Sequence, residues 1–523
     1  MKYLSRYPLI WIFVLASLIR LWDLGNLPNG FFRDEAAKGY NGWLLSTQGH
    51  DIDGQHYPLF TRELATYNSA FYTYLTIPFI KLAGLSETTT RLPAAIAGIL
   101  TVLLLYIVVR KLFNERIAVW SSFFLAVSPW HVQFSRWANQ GILVPLFALG
   151  LIYFLHQAIE KVKSKDRGNP PEVAREGLLF LVFASLCGGI MVYTYDITKV
   201  FLPLLLVLLI GTYWQFWKKH FLKLSIFSIL VLLICIPSLL NTLGNNIQSQ
   251  ARFNRISLLS QPFTPWEMAW QFILNWFSHY NPGYLFIHGD MNLRHSTGYT
   301  GLLLWIEPLL IILGLYWLWK HRTPESTLWI GWFIIYPIPS SLTMEGIPHA
   351  LRSIPGVVVF PVISALGVIY LFELIQKYQP QKIYFYKTVI MLLTSASVLY
   401  FLCIYFGPYR YASQEPFQYG MNKTVTWWNT NKDSFSRTVV SPSLGMPEIF
   451  FLFYNQIPDN FGNYFQKSNL YFEVSETDIQ QWTQSEGKPT LYILGPDDFP
   501  EARTIHQITD SKGKMVIKMA IYP

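Results

Sequence analysis

Two adjacent carboxylates, Asp34 and Glu35, stand just after the first long apolar run of the 523-residue chain. Burying such charges beside a membrane is costly, so a carboxylate pair at this place needs a reason. One interpretation is a catalytic site, with Asp34 as a base and Glu35 orienting it or holding a metal ion. The other is the first turn of a helix, where acids are favoured and where Ala36-Ala37 follow. The two are compatible, because a helix start can present one carboxylate outward.

A second candidate stretch runs from Ser128 to Trp137 and contains His131 and Arg136. It lies at the end of an apolar run. An arginine there could bind a phosphate through two parallel hydrogen bonds. The alternative is an interfacial arginine whose charged end reaches the membrane surface beside tryptophan side chains.

A third candidate is the pair Asp196 and Lys199, three residues apart. They could simply pair on one helix turn. Alternatively, they could supply a second carboxylate and an ammonium group that binds phosphate.

Two further stretches, Arg294-His295 and His349 to Arg352, each place an arginine and a histidine just before an apolar run. Outer loops of membrane proteins usually carry few cations. An anionic ligand outside the membrane, or simply lipid headgroups, would explain finding several cations on one predicted side: Arg136, Lys199, Arg294 and Arg352.

The composition places these residues in a membrane protein. The chain is 52% hydrophobic and 14% charged, whereas a soluble protein carries about 25% charge. The net charge of +9 comes from lysines and arginines in short gaps between apolar runs, which argues against nucleic-acid binding. The sequence contains no glycine-rich phosphate loop, so no nucleotide site is indicated.

About eleven apolar runs approach the length of roughly 20 residues that a spanning helix needs. They lie at residues 8–22, 92–110, 117–134, 142–160, 177–193, 199–216, 222–240, 299–319, 327–343, 354–375 and 387–406. Basic gaps alternate with less basic ones. The positive-inside rule then places the N-terminus in the cytoplasm, and the Asp34 loop and the tail after residue 407 outside.

The short run 71–85 contains Pro78 and Lys81 and breaks this alternation. We interpret it as an interfacial helix within one large outer loop, residues 23–91. A true span there would put the basic gaps outside. The resulting architecture is a polytopic α-helical membrane domain, residues 1–406, followed by residues 407–523.

The tail changes in character. Strand patterns at residues 437–440, 490–494 and 515–522, with a short helix at 447–454, predict a small α/β domain outside the membrane.

With these residues in hand, the chain resembles the C-type membrane glycosyltransferases. In particular it is similar to the branch with protein O-mannosyltransferases and the lipid A aminoarabinose transferase, family 39 and its relatives. The resemblance covers roughly residues 5–410. It rests on Phe32-Arg33-Asp34-Glu35-Ala36, Gly84-Leu85-Ser86-Glu87 leading to Arg91-Leu92-Pro93, Ser128-Pro129-Trp130-His131 with Ser135-Arg136, Arg294-His295, and His349-Ala350-Leu351-Arg352.

The resemblance implies a polyprenyl-phosphate-linked sugar donor and an acceptor protein, glycan or lipid that approaches from outside. The protein would also contact membrane lipids, and no nucleic acid is expected as a partner. Asp34 would activate the acceptor. The donor phosphate would be bound by Arg136, Lys199, Arg294 and Arg352, with His131, Asp196, His295 and His349 in support. A divalent metal ion is compatible with this chemistry, and its candidate ligands are Asp34, Glu35 and Asp196.

Two departures from the family pattern stand out. Many relatives carry an acidic residue shortly after the Ser-Arg element, where this chain has Ala138-Asn139-Gln140. Relatives often have a Lys-Pro-Pro-like element before the interfacial helix, where this chain has Tyr67-Asn68-Ser69-Ala70 and so lacks a first-loop lysine.

A different class of function is a transporter or flippase of lipid-linked sugar intermediates, and a third is a membrane scaffold whose tail binds partners. Transporters tend to place ionisable residues at mid-membrane and to show internal repeats. The apolar runs here are nearly free of central charges, and we find no repeat in the sequence. These features favour the enzyme.

Overall fold

The computed structural model describes residues 8–63, 66–166, 171–244, 255–458, 461–472, 488–499 and 501–521. The chain is mostly helical and divides into two compact units. The helical unit consists of Met1–Trp22 and Ala94–Ile404, and the mixed unit consists of Asp23–Pro93 and Tyr405–Pro523.

Numbered in chain order, the α-helices are α1 (Pro8–Leu21), α2 (Arg33–Thr47), α3 (Phe71–Ala83), α4 (Glu87–Leu112), α5 (Glu115–Val127), α6 (Pro129–Phe134), α7 (Leu143–Asp166), α8 (Pro171–Met191), α9 (Thr198–Thr212), α10 (Trp214–Lys219), α11 (Phe221–Leu243), α12 (Pro265–Ser278), α13 (Glu307–Lys320), α14 (Pro324–Ile335), α15 (Ile338–Ser341), α16 (Val359–Tyr378), α17 (Ile383–Phe406), α18 (Pro408–Ala412), α19 (Met421–Asn431), α20 (Glu448–Asn455) and α21 (Phe461–Lys467). The strands are β1 (Phe60–Glu63), β2 (Thr66–Ser69), β3 (Arg437–Val440), β4 (Leu470–Tyr471), β5 (Thr490–Leu494), β6 (Arg503–Thr509) and β7 (Met515–Ile521).

Apolar helices make up most of the helical unit, and small residues let some of them pack closely. A Cβ atom added at Gly314 on α13 would lie 1.9 Å from the carbonyl oxygen of Ile363 on α16. Gly367 on α16 stands in the same relation to Leu310 on α13. Such reciprocal glycine contacts are typical of helices packed inside a membrane, where dispersion contacts replace the hydrophobic effect between helices.

Each predicted apolar run overlaps at least one observed helix. Among the described residues, five helical stretches are long and apolar enough to cross a membrane: Glu87–Leu112, Gln140–Ser164, Phe221–Thr242, Ile354–Tyr378 and Pro380–Ala412. Two further apolar helices, Pro8–Leu21 and Thr198–Thr212, are shorter. The structure therefore supports several membrane-spanning helices, while the count of eleven stays a prediction.

Helix α3 covers most of the run that interrupted the predicted alternation. Its 13 residues would extend only about 20 Å at the rise of an α-helix, whereas the hydrocarbon core is about 30 Å thick. It packs closely along α2, since a Cβ at Gly42 would lie 2.1 Å from Oγ1 of Thr76. The length and the packing support the interpretation as an interfacial helix.

The mixed unit contains a hairpin of β1 and β2 and a five-stranded sheet of order β4-β3-β5-β7-β6. Strand β3 runs parallel to β4 and β5, and β7 runs antiparallel to β5 and β6. The predicted strands 437–440 and 490–494 coincide with β3 and β5. The predicted strand 515–522 matches β7 up to Ile521, and residue 522 lies outside the described residues. The predicted helix 447–454 overlaps α20, Glu448–Asn455. Strand β6 was not predicted, because its first five residues are exposed and give no alternating pattern.

The core of the mixed unit joins two distant parts of the chain. Ala37, Tyr40 and Leu44 of α2 belong to one apolar cluster with Trp428 of α19 and Phe450 of α20. The Tyr40 hydroxyl donates a hydrogen bond of 2.7 Å to the carbonyl of Ile457. Residues 23–93 therefore pack with residues 405–523, whereas the predicted boundary divided the chain only at residue 407. That the tail alone is a domain outside the membrane stays a prediction.

Candidate functional site

Asp34 lies in the first turn of α2, in the mixed unit. Its side chain is 46% exposed, and the nearest ion-pair contact is a loose 3.8 Å from Nε of Arg33. The positive end of the helix dipole stabilises an anion at this position. Asp34 is thus an accessible carboxylate on a rigid element, which is what a proton acceptor for a substrate hydroxyl requires.

Glu35 has the opposite surroundings. It is fully buried, and Arg91 of α4 donates hydrogen bonds to both of its oxygens, from Nε to Oε1 at 2.8 Å and from Nη2 to Oε2 at 3.0 Å. Oε2 also accepts the backbone N–H of Phe32 at 3.0 Å. Because both oxygens are engaged, the structure favours a structural role for Glu35 over the predicted catalytic or metal-binding role.

The same arginine fastens the segment that leads into α2. Its guanidinium donates hydrogen bonds to backbone carbonyls of Leu24, Gly25, Pro28 and Gly30. Arg91 and Glu35 together therefore hold this loop in place just before Asp34.

The tail also positions the segment before Asp34. The backbone N–H of Asn29 donates to Oγ of Ser413, and that of Arg33 to Oε1 of Gln418, each at 2.9 Å. Gly30 has φ +114°, and a Cβ there would lie 2.5 Å from the carbonyl oxygen of Phe417. Only glycine fits this approach, so the entry to α2 is fixed by contacts with residues 413–418.

A buried ion pair, which was not predicted from the sequence, lies one helical turn beyond Asp34. Lys38 Nζ lies 2.8 Å from Oε2 of Glu63 on β1, and each side chain is 3% exposed. Asn68 on β2 donates to the same oxygen at 3.0 Å. Burial raises the pKa of the Glu63 carboxyl, and the Lys38 ammonium opposes that rise. The spacing of Lys38 from Asp34, four residues on one helix, was the available signal.

In the helical unit, His131 and Arg136 are buried structural residues. Arg136 donates to the carbonyls of Ile19 and Trp22 at 2.6 and 2.7 Å, at the C-terminal end of α1. Arg20 Nη2 lies 2.8 Å from Nδ1 of His131. Arg136 and His131 are fully buried, and the guanidinium of Arg136 bonds these carbonyls. The structure therefore gives no support to the predicted phosphate-binding role of Arg136 with His131, which stays a prediction.

Asp196 and Lys199 pair with each other at the start of α9. Nζ lies 2.6 Å from Oδ1, and the Asp196 side chain is 75% exposed. The structure shows the helix-turn pairing that was the alternative to a functional role, so neither residue gains support as a donor-phosphate or metal ligand.

Four other residues of the helical unit, Asp290, His295, His349 and Arg352, form what we call the histidine cluster. His295 Nδ1 lies 3.1 Å from Oδ2 of Asp290, and the rings of His295 and His349 have centroids 4.7 Å apart. The backbone N–H of Ala350 donates to Oδ2 of Asp290 at 2.7 Å. Asp290 thus joins the loop around residues 290–295 to the loop before α16, which places two predicted histidines side by side.

Two arginines belong to the same loops. Arg352 is nearly buried and donates to Oγ1 of Thr343 at 2.9 Å and to the carbonyl of Glu345 at 2.7 Å. Arg294 is half-buried, and its Nε donates to Oδ1 of Asn292 at 3.3 Å. Arg352 Nη2 also lies 3.5 Å from Oε2 of Glu345. Of the four predicted phosphate-binding cations, Arg294 and Arg352 are the two that belong to the loops of the histidine cluster, and their role stays a prediction.

The ligand types and spacing of this cluster also suit a metal ion, since donor atoms of Asp290, His295 and His349 lie within 4.8 Å of one another. However, Asp290 already accepts the N–H groups of Asn292 and Ala350, and Nδ1 of His349 accepts the N–H of Arg352 at 3.2 Å. Burial, and then the charges of His295 and Arg352, lower the pKa of His349 well below its usual value. A lowered pKa keeps the His349 imidazole neutral, which is the form that can ligate a metal ion. The cluster is therefore compatible with a metal ion as well as with the anion predicted from the sequence.

Comparison with known proteins adds two kinds of similarity. Residues 69–240 match the family of dolichyl-phosphate-mannose-protein mannosyltransferases. No curated protein sequence matches the chain.

Solved structures are similar over a much longer range. ArnT from Cupriavidus metallidurans in the apo state is 12% identical with a TM-score of 0.56, over 98% of each chain. The same protein bound to undecaprenyl phosphate is 13% identical with a TM-score of 0.54, again over 98% of each chain.

The archaeal oligosaccharyltransferase AglB from Archaeoglobus fulgidus, in complex with an inhibitory peptide and a dolichol-phosphate, is 14% identical with a TM-score of 0.52. The match covers 86% of this chain but 64% of AglB, so the chain spans less than two thirds of that enzyme. At these identities the likeness shows the fold. The family match over residues 69–240 and the fold likeness to ArnT and AglB agree with the resemblance described from the sequence.

Proposed function

We propose that the protein is a membrane glycosyltransferase that moves a sugar from a polyprenyl-phosphate donor to an acceptor on the extracytoplasmic side. The observation that carries this proposal is the half-exposed Asp34 carboxylate in the first turn of α2, in a chain with the fold of ArnT. Two similar structures were solved with undecaprenyl phosphate and with dolichol-phosphate, which supports a lipid phosphate as the leaving group. The inhibitory peptide in the AglB complex supports a peptide among the possible acceptors.

In the proposed reaction, Asp34 takes the proton from the acceptor hydroxyl. The acceptor oxygen forms a bond to the anomeric carbon of the sugar, the bond from that carbon to the phosphate oxygen breaks, and polyprenyl phosphate leaves. A single displacement of this kind inverts the anomeric carbon. General-base catalysis by one carboxylate accelerates such a step by about 10²- to 10⁴-fold.

The leaving phosphate requires charge stabilisation, because negative charge grows on its oxygen as the bond breaks. We assign this role to Arg352 and Arg294, with His295 and His349 of the histidine cluster. Arg352 is 6% exposed, and a guanidinium with little water around it interacts strongly with an anion. Chemistry of this kind needs no nucleotide, in agreement with the sequence.

We propose eleven membrane spans, with the N-terminus in the cytoplasm and the tail outside. The helix found in each predicted apolar run and the shortness of α3 support this topology. On this topology Asp34 lies in an outer loop, on the side where the acceptor is proposed to approach.

The proposal is tested by presenting the purified protein, in lipid vesicles, with a panel of polyprenyl-phosphate sugars that includes dolichyl-phosphate mannose and undecaprenyl-phosphate sugars. Peptide, glycan and lipid acceptors are supplied outside. Mass spectrometry should show one donor converted to free polyprenyl phosphate, with the sugar on an acceptor. Transport of an intact donor across the vesicle membrane without cleavage would instead identify a flippase. If none of the donors in the panel were cleaved, the proposed glycosyltransferase activity would be overturned.

A further inference from the structure

The buried pair of Lys38 and Glu63 is unusual in its position. Lys38 lies one helical turn after Asp34, and this spacing ordinarily lets a lysine pair with the aspartate side chain. Lys38 Nζ instead bonds Glu63 at 2.8 Å and approaches Asp34 only at its backbone carbonyl, at 3.3 Å. Within the described residues, no ion pair joins Lys38 to the Asp34 carboxylate.

Glu63 is also incompletely satisfied. Its Oε2 accepts hydrogen bonds from Lys38 and Asn68, whereas its buried Oε1 has no hydrogen-bond partner among the described residues. A buried oxygen without a hydrogen-bond partner destabilises the folded state, and a buried ion pair is often no more stabilising than apolar residues of the same size. Stability alone is therefore a poor reason for placing this pair beside Asp34.

The two carboxylates also interact through their charges. The charge of Asp34 contributes to raising the pKa of Glu63, after burial, which is the largest cause. Arg33 already contacts the Asp34 carboxylate, at 3.8 Å. Lys38 is a second cation on the same helix, and its ammonium group bonds Glu63 instead of the Asp34 carboxylate. The partner of Lys38 therefore decides whether a second positive charge reaches the Asp34 carboxylate.

We propose that Glu63 is a positioning residue that holds the Lys38 ammonium away from the Asp34 carboxylate, so that Asp34 stays free to accept a proton. This inference rests on the proposed function of Asp34 as the base. Without Glu63, the flexible lysine side chain turns to Asp34 and forms the pair expected at this spacing. Asp34 is then a weaker base, because an opposite charge within about 4–6 Å favours the ionised carboxylate.

The test measures the titration of Asp34 itself in the full-length protein in vesicles. A water-soluble carbodiimide modifies protonated carboxyl groups, and mass spectrometry gives the modified fraction of Asp34 at each pH. In Glu63→Gln the midpoint of this curve should fall by about one pH unit or more. In the double variant K38M/E63Q, which removes both charges, it should return to within a few tenths of a unit of wild type.

If Glu63→Gln alone fails to fold, Glu63→Asp takes its place, because the shorter side chain loosens the 2.8 Å pair with Lys38 while keeping its charge. The Asp34 midpoint should then fall in Glu63→Asp and return towards wild type in K38M/E63Q, and an unmoved midpoint in folded Glu63→Asp would overturn the proposal. An unchanged titration curve of Asp34 in folded Glu63→Gln would also overturn the proposal, and the pair of Lys38 and Glu63 would then serve only to attach the hairpin to α2. These readings need no donor, so they are separate from the test of sugar transfer.

Discussion

At the scale of single residues, Asp34 and Glu35 are neighbours in sequence with opposite environments. Asp34 is half exposed, with Nε of Arg33 3.8 Å from its carboxylate, whereas Glu35 is buried with both oxygens bonded to Arg91 or to backbone. The two interpretations of this motif, a helix start and a functional site, therefore apply to different residues: the first to Glu35 and the second to Asp34. Glu35 caps the helix and holds the loop, and Asp34 is left for chemistry.

This division predicts different effects of substitution at Glu35 and at an exposed carboxylate. Glu35→Gln leaves Arg91 buried with an uncompensated charge, so we expect a loss of about 3–5 kcal/mol in the free energy of unfolding. The matched control Asp196→Asn breaks an exposed pair and should cost at most about 1 kcal/mol. Thermal unfolding in detergent measures both. Equal shifts of the midpoint in the two variants would contradict the structural role of Glu35.

The outcome at Arg136 shows why residue types alone could not identify the site. Its carbonyl partners, Ile19 and Trp22, lie more than 110 positions earlier in the chain. An arginine that caps a distant helix end and one that binds a phosphate have the same local sequence pattern. The same is true of the pair of Lys38 and Glu63, which are 25 positions apart.

At the scale of elements, the apolar runs in the sequence predicted helices in these segments, because a chain inside a membrane must pair its backbone polar groups within a helix. The strands β3, β5 and β7 were predicted because each is largely buried and rich in branched or aromatic residues. Strand β4 has two residues, and β6 is mostly exposed. Neither carries a periodic signal long enough to be detected.

His279 directly follows helix α12 and contacts residues of both α12 and α15. His279 is buried, its Nδ1 lies 2.8 Å from the carbonyl of Asn275, and its Nε2 lies 2.8 Å from Oγ of Ser340 on α15. Burial lowers the pKa of His279 from its usual 6.5 to about 4. The folded protein therefore keeps this histidine neutral at a pH where the unfolded chain protonates it.

Stability should consequently fall as the pH falls from 6.5 towards 4, because the unfolded state gains protons first. The contribution of His279 is on the order of 3 kcal/mol over this window. His279→Gln should flatten the pH dependence of the unfolding midpoint while lowering stability at neutral pH. The exposed His288 is the matched control, and His288→Gln should keep the wild-type slope. A slope unchanged in His279→Gln would contradict the assignment.

At the scale of the whole molecule, the chain forms two compact units, and one of them is assembled from two separate segments. The sequence predicted the α/β character of the tail but not its union with residues 23–93. The bond from Tyr40 to Ile457 spans 417 positions, and a single sequence has no periodic feature that links such distant parts. This union matters for function, because contacts with residues 413–418 fix the loop that precedes Asp34.

The central claim is that Asp34 is the base in transfer from a lipid-phosphate donor. The most direct test compares wild type, Asp34→Asn and the exposed control Asp433→Asn, with the donor identified from the panel, for single-turnover release of polyprenyl phosphate and for donor affinity. We expect Asp34→Asn to lose about 10²-fold or more in rate, with donor affinity within twofold of wild type and Asp433→Asn unaffected. A rate for Asp34→Asn within twofold of wild type would contradict the account.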